Sequence, residues 1–341
     1  MALVCGFIFD NLTLRRIDLF ADQVLIMAYL VIAAITVVVL SLYERRMARG
    51  GKPRKSHAFF LIALQFVLGG LFSSFFVFYS RSATFSASWP FLLVLLGLLI
   101  GNEFLKNRYQ LLTFRLSIFF VAVFSFAIFF LPVILGKIGG GVFVVSGILS
   151  LAAIWLIVFI LSGLAPDLVR ESRWRLWTSI FVVFGIINLL YFTNIIPPIP
   201  LALKEGIVAQ VLEKQGDGSY IVTHEERTWH DFFERYPQVH AGPDSRLFVY
   251  SAVFAPTDLK TTVVHEWQYR DVASAAWVTT HRVAFSILGG SDRGYRGYSL
   301  KNDVFPGLWR VNIETPRGQL IGRVKFEVVP GAAESTVSEV R

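Results

Sequence analysis

Glu44-Arg45-Arg46-Met47-Ala48-Arg49-Gly50-Gly51-Lys52-Pro53-Arg54-Lys55-Ser56-His57 places six basic residues between two long apolar runs. The same contrast recurs along the first 196 residues. Lys106, Arg108 and Arg115 fall in the next-but-one connection, and Arg170, Arg173 and Arg175 in the one two further on. Twelve of the sixteen Lys and Arg residues in this half thus sit on alternate connections, the others being Arg15, Arg16, Arg81 and Lys137. Apolar runs of about 20 residues can cross ~30 Å of hydrocarbon, and basic residues accumulate on the cytoplasmic side. The pattern predicts a bundle of six transmembrane helices with three cytoplasmic basic connections. Everything after Ile196 is then extracytoplasmic.

Charge divides the chain at the same point. Residues 1–196 carry sixteen basic and seven acidic residues, whereas 197–341 carry sixteen and seventeen. The overall excess of +8 therefore belongs to the connections between apolar runs. A nucleic-acid footprint is not expected, because no basic stripe falls on a folded face. The expected partner of the 45–55 cluster is the lipid bilayer, whose anionic headgroups attract juxtamembrane Lys and Arg. Cys5 is the single cysteine, so neither a disulfide nor a thiolate zinc site is expected in the C-terminal part.

The spans are read at about residues 24–42, 58–78, 91–105, 116–135, 142–164 and 177–196, the third being short. Residues 1–23 form an N-terminal extracytoplasmic or interfacial segment. Ala2–Phe9 is apolar but too short to span the bilayer, and it reads as lying on the surface or as the end of a longer helix from a late start. Pro166 is expected to stop the fifth span. Pro197, Pro198 and Pro200 make a stiff exit into a linker, 197–246, in which Leu203–Leu212 reads as a short amphipathic helix and His224–Tyr236 as a further helical element.

From Leu247 the period changes to two. Leu247–Phe254, Thr261–Tyr269, Trp277–Leu288, Tyr295–Leu300, Leu308–Glu314 and Gln319–Val328 are rich in β-branched and aromatic residues, with Gly and Pro turns between them. They predict an all-β, immunoglobulin-like antiparallel sandwich over 247–329, followed by a disordered tail, 330–341.

No catalytic residue, cofactor or metal is expected. The histidines lack zinc-motif spacing, and no Gly-x-Ser-x-Gly elbow occurs. Two aromatic constellations stand out. His265, Trp267 and Tyr269 share one strand face, and Tyr295, Arg296 and Tyr298 surround Gly297, a residue that lets a ligand approach closely. Aromatic faces beside guanidinium groups suit sugars or acidic groups. The competing reading makes Trp267 and Trp309 the core and the tyrosines rim packing. In the membrane half, Glu103, Lys106 and Arg108 form a polar cluster at the cytoplasmic end of the third span. They read as headgroup-level partners or as the mouth of a site.

Several C-terminal segments resemble a known bacterial family. These are Val249-Tyr250-Ser251-Ala252, His265-Glu266-Trp267, Tyr295-Arg296-Gly297-Tyr298-Ser299, Pro306-Gly307-Leu308-Trp309-Arg310-Val311 and Gly318-Gln319-Leu320-Ile321-Gly322. The family is the membrane-protein group carrying domain of unknown function 2914, and the likeness covers about 248–329. Phe9-Asp10-Asn11-Leu12-Thr13-Leu14 resembles that group's N-terminal segment. The resemblance implies a bacterial envelope location and supplies no reaction. The sequence therefore points to a multi-pass inner-membrane protein, non-enzymatic, whose outer domain binds an envelope protein or glycan. The alternative is a transporter or membrane-embedded enzyme acting on a lipid-linked substrate.

Overall fold

The computed structural model describes residues 19–51, 55–82, 85–104, 108–109, 111–198, 200–216, 218–226, 234–242, 245–257, 259–290, 294–333 and 335–341. The chain divides into two compact units, a helical one and a second in which every described strand falls between Pro200 and Arg341.

Six helices form among the described residues: α1 (Phe20–Ala48), α2 (Lys55–Ser82), α3 (Phe85–Phe104), α4 (Leu112–Leu135), α5 (Gly140–Leu164) and α6 (Pro166–Phe192). Five are long and apolar enough to cross a membrane, and α3 has only a shorter apolar stretch, Ser88–Asn102. Apolar side chains cover outer surfaces as well as interior ones. Ile148, Leu149, Trp155, Leu156 and Phe159 on α5 are all exposed, as are Phe181, Val182 and Leu189 on α6. Apolar surface of that extent on long helices suits a lipid solvent. Several hydroxyls within the helices bond back one turn, as Thr36 does to the Ile32 carbonyl (2.7 Å) and Ser150 to that of Ser146 (2.7 Å). Such closure is what a non-aqueous surrounding demands.

The antiparallel pairing of α2 and α3 follows from two contacts. Gln65 and Asn102 exchange side-chain to backbone bonds of 2.9 and 2.8 Å, and Tyr79 packs edge-on to Phe91 with centroids 4.8 Å apart. Short as it is, α3 returns the chain to the end from which α2 departs. There Arg115 is fully buried and forks onto both carboxylate oxygens of Glu44, with further bonds to the Tyr109 carbonyl (2.9 Å) and Ser41 (3.1 Å). Arg49 reaches Asp167 at 2.8 Å. The three basic connections therefore meet at one end of the helical unit.

Two details differ from the sequence reading. Arg115 is a buried, neutralised residue in the first turn of α4, because Glu44 faces it. Pro166 starts α6 instead of merely stopping α5, so Arg170, Arg173 and Arg175 are helical. Proline is well suited to a first helical position, where its missing N–H is no loss, and Asp167 in the first turn favours the same start.

The β unit holds eleven described strands: β1 (Ala202–Ala209), β2 (Val211–Lys214), β3 (Tyr220–Glu225), β4 (Gln238–Ala241), β5 (Leu247–Phe254), β6 (Lys260–Arg270), β7 (Trp277–Leu288), β8 (Tyr295–Lys301), β9 (Gly307–Glu314), β10 (Leu320–Pro330) and β11 (Thr336–Val340). They make three sheets, ordered β1-β5-β8, β4-β10-β9-β6-β7 and β11-β3-β2. The six strands expected from Leu247 onward are β5 to β10. The β9–β10 hairpin pairs Trp309 with Phe326 and Val311 with Val324.

Three expectations are corrected. Leu203–Leu212 is strand, not helix, because β1 pairs along β5 and β2 along β3. The stretch expected to be a disordered tail contains β11, whose Val337 pairs with His224. The pairing is not purely antiparallel, since β4 joins β10 in parallel. Of the expected helical element His224–Tyr236, His224 and Glu225 are in β3, and residues 227–233 lie outside the described residues.

The β1-β5-β8 sheet is central, covered on both faces by the other two. Ser251 of β5 and Ser299 of β8 bond His265 of the five-stranded sheet, while Tyr250 of β5 meets Tyr220 of β3, ring centroids 6.0 Å apart. Strand β5 accordingly reads Leu-Phe-Val-Tyr-Ser-Ala-Val-Phe and is buried throughout except at Phe248, which is half-buried. Period-two alternation is lost where both faces are dry.

Candidate functional site

Strand β6 divides its side chains by the pleat. Val263, His265 and Trp267 turn toward the central sheet and are fully buried; Glu266 and Gln268 take the opposite face. The inward set forms a closed network. His265 Nε2 lies 2.8 Å from Ser251 Oγ and its Nδ1 lies 2.8 Å from Ser299 Oγ, which also accepts from Trp267 Nε1 at 2.9 Å. Phe285 stands edge-on to the imidazole. Burial pushes the His265 pKa down to about 3, so the ring is neutral. A serine and a histidine at hydrogen-bond distance invite a nucleophilic reading. Here both are sealed in the core, and the second ring nitrogen faces a hydroxyl, so the contact serves packing.

The candidate residues do not assemble into one surface. His265 and Trp267 are interior, and Tyr269 is half-buried against Phe305 and Trp309. Tyr298 lies on the other face of β8, beside Tyr220 and Phe248. Arg296 is half-buried and Tyr295 is exposed. Gly297 makes room for Phe285, not for a ligand: a Cβ there would overlap the phenyl ring. In the helical unit Arg108 is exposed, while Lys106 and the Glu103 side chain lie outside the described residues. Among the described residues, no three of His, Cys, Asp or Glu gather as metal ligands.

A different set converges on the outward face of the five-stranded sheet. Register places Gln268 opposite Arg310 and Glu266 opposite Asn312 across β6 and β9. Across β9 and β10, Arg310 stands opposite Lys325 and Asn312 opposite Arg323. Glu266 accepts bonds from Gln268 (3.0 Å), Asn312 (3.0 Å) and Thr279 (3.1 Å). Arg282 bonds Glu314 at 2.6 Å. Arg310 Nε donates to Gln268 at 2.7 Å, and Arg323 Nε donates to Asn312 at 2.6 Å.

Aromatic rings border this ladder. The Arg310 guanidinium lies 4.1 Å from the centre of the Trp277 ring, and Tyr236 is nearly parallel to Trp277. Lys325 and Arg235 both approach the Tyr236 ring. Burial, and then the facing Arg323, lowers Arg310 to about 10; burial, followed by Arg235, Arg323 and Arg310, lowers Lys325. Arg310 remains cationic at neutral pH. Glu314 is raised to about 7 by burial and then by Glu266, against the opposing pull of Arg282 and Arg323.

Residues 260–328 match the family described as a protein of unknown function (DUF2914). The matched stretch runs from the start of β6 into β10. It contains both the buried His265 network and the outward ladder of Glu266, Arg310 and Arg323. A search of the curated proteins finds no match. Among solved structures, a β-glucosidase from Listeria innocua in complex with isofagomine is 13% identical, covers 37% of this chain and 16% of its own, and has a TM-score of 0.20. The alkylpurine DNA glycosylase AlkC from Pseudomonas fluorescens is 11% identical over 92% and 99% of the two chains, with a TM-score of 0.23.

The sequence reading did not find the outward ladder, although its signal was present. Glu266-x-Gln268, Arg310-x-Asn312-x-Glu314 and Arg323-x-Lys325 each place polar residues at every second position. They are interleaved with apolar residues, among them the Trp267 that drew attention to the other face.

Proposed function

We propose that this chain is a multi-pass bacterial inner-membrane protein whose β unit lies outside the cytoplasm and binds an envelope partner, a protein or a glycan. The helices anchor and position it. The observation that carries this reading is the outward face of the five-stranded sheet, where fixed guanidinium groups, amides and aromatic rings stand together. The helical polar groups support an anchoring role: Arg115 pairs with Glu44, and Gln65 and Asn102 exchange hydrogen bonds. The immunoglobulin-like reading of the β unit is supported by two sheets that face each other across His265 and Trp267. The orientation rests on the three basic connections, which the Arg115–Glu44 and Arg49–Asp167 contacts bring to one end.

The direct test is an alkaline phosphatase fusion after Val328 in living cells, paired with a cytoplasm-active reporter at the same position. Phosphatase activity is expected. Activity of the cytoplasmic reporter alone would overturn the orientation and the envelope role with it.

A further inference from the structure

The outward face of the five-stranded sheet holds more positive charge than its own acids neutralise. Arg235, Arg310, Arg323 and Lys325 converge around Tyr236. Of the facing acids, Glu266 is engaged by Gln268, Asn312 and Thr279 and lies 3.8 Å from Arg282, while Glu314 is taken by Arg282. Glu327 follows Lys325 at the next outward position of β10.

The geometry of the two central arginines is specific. Each uses Nε to donate to a neutral amide, Gln268 or Asn312, so the guanidinium plane is held while its terminal nitrogens, among the described residues, make no hydrogen bond. A planar donor fixed in that way suits an oxyanion in two-point contact. Side-chain entropy has already been lost on folding, which favours binding.

We propose that this face, around Arg310, Arg323, Lys325 and Tyr236, is a binding site for an acidic saccharide bearing carboxylate or phosphate groups. The inference deepens the partner-binding reading above and rests on it. Charge complementarity selects the acid. The saccharide is selected by what borders the arginines. Gln268 and Asn312 are buried and spend their amides inside the ladder, so a ligand's hydroxyls are met by the free guanidinium N–H groups. The half-buried Trp277 and Tyr236 leave ring surface beside them of the kind that covers sugar C–H groups. A nucleic acid is a poor fit, since residues 197–341 carry a net charge of −1 and provide no extended basic track.

The full chain in nanodiscs of zwitterionic lipid, which keeps anionic headgroups out of the assay, is titrated with labelled hexagalacturonate and with a phosphorylated mannose hexamer. Maltohexaose and hexaglutamate serve as the neutral sugar and the acidic peptide. At least one acidic saccharide is expected to bind, and the one preferred identifies the acid. Affinity should fall as salt rises, and maltohexaose should bind at least tenfold more weakly. The half-buried Lys325 makes no hydrogen bond in the ladder, so Lys325→Glu tests charge without dismantling the network and should weaken binding at least tenfold. Arg310→Gln combined with Arg323→Gln should abolish it. Binding of neither acidic saccharide, equal binding of maltohexaose, tighter binding of hexaglutamate, or an unaffected Lys325→Glu variant would each overturn the site. The reporter fusion fails independently: an outside signal without saccharide binding removes only this inference, whereas an inside signal removes the envelope role whatever the nanodiscs bind.

Discussion

Phe285 fills the space that a side chain at position 297 would need, with its ring against the edge of His265. Gly297 is therefore a packing residue between β8 and β7, on facing sheets of the β unit. Gly297→Ala should destabilise the β unit by about 1–3 kcal/mol through overpacking. Shortening the intruding ring with Phe285→Leu in the same chain should recover part of that loss. Hydrogen exchange of the β8 amides reads both effects; a silent Gly297→Ala would contradict the packing.

His265 and Glu314 act on stability with opposite sign. The imidazole has a folded value near 3 against an ordinary 6.5, so the folded chain binds fewer protons between those limits and loses stability as pH falls through them. Glu314 has a folded value near 7 against an ordinary 4.5, so the folded chain binds more protons there and loses stability as pH rises. The two slopes oppose each other between about pH 4.5 and 6.5. Glu314→Gln should uncover the histidine slope, up to about 1.4 kcal/mol per pH unit, in that window. Thermal unfolding of the variant across pH 4.5–6.5 measures it, and a flat profile would refute the assignment.

Trp267 and Trp277 should behave as opposites despite their proximity in sequence. Trp267 is fully buried with its indole N–H bonded to Ser299, so Trp267→Ala should cost about 3–5 kcal/mol. Trp277 is half-buried on the outward face under Arg310. Trp277→Ala should leave folding within about 1 kcal/mol, since a partly exposed cation–π contact is worth no more than that. Comparing the unfolding transitions of the two variants in nanodiscs distinguishes core from face.

Breaking the Arg115–Glu44 pair should be far worse than removing it. Glu44→Ala leaves a buried guanidinium uncompensated and should destabilise the helical unit by about 3–5 kcal/mol. Replacing both residues by Met removes two desolvated charges together and should be much milder. Unfolding in mixed detergent micelles gives the comparison; equal losses in the single and double variants would show that the pair does not carry the interaction.

Much of the architecture is written in local pattern. The apolar runs mark the helices because a membrane-facing helix must be apolar on every side, and β6, β9 and β10 are legible because one face is dry and the other wet. The pattern misleads where local and long-range preferences diverge. Ala-Leu-Lys-Glu-Gly-Ile-Val-Ala (Ala202–Ala209) satisfies a helical spacing as well as a strand, and only pairing with β5 resolves it. Thr336–Val340 looks polar and free until β3, more than a hundred residues earlier, supplies its partner.

The candidate site was legible only in pieces. The alternation of β6 puts His265, Trp267 and Tyr269 on one expected strand face, yet alternation tells two faces apart without saying which is covered. The sequence by itself determined that polar residues alternate along β6, β9 and β10, and that the basic residues among the helices collect on alternate connections. The tertiary structure decided that the aromatic face is interior, that Gly297 makes room for Phe285, and that Arg310, Arg323 and Lys325 stand side by side. The physical reason is register. Which residues become neighbours across a sheet depends on how strands far apart in the chain align, and that alignment is set by packing of the whole β unit.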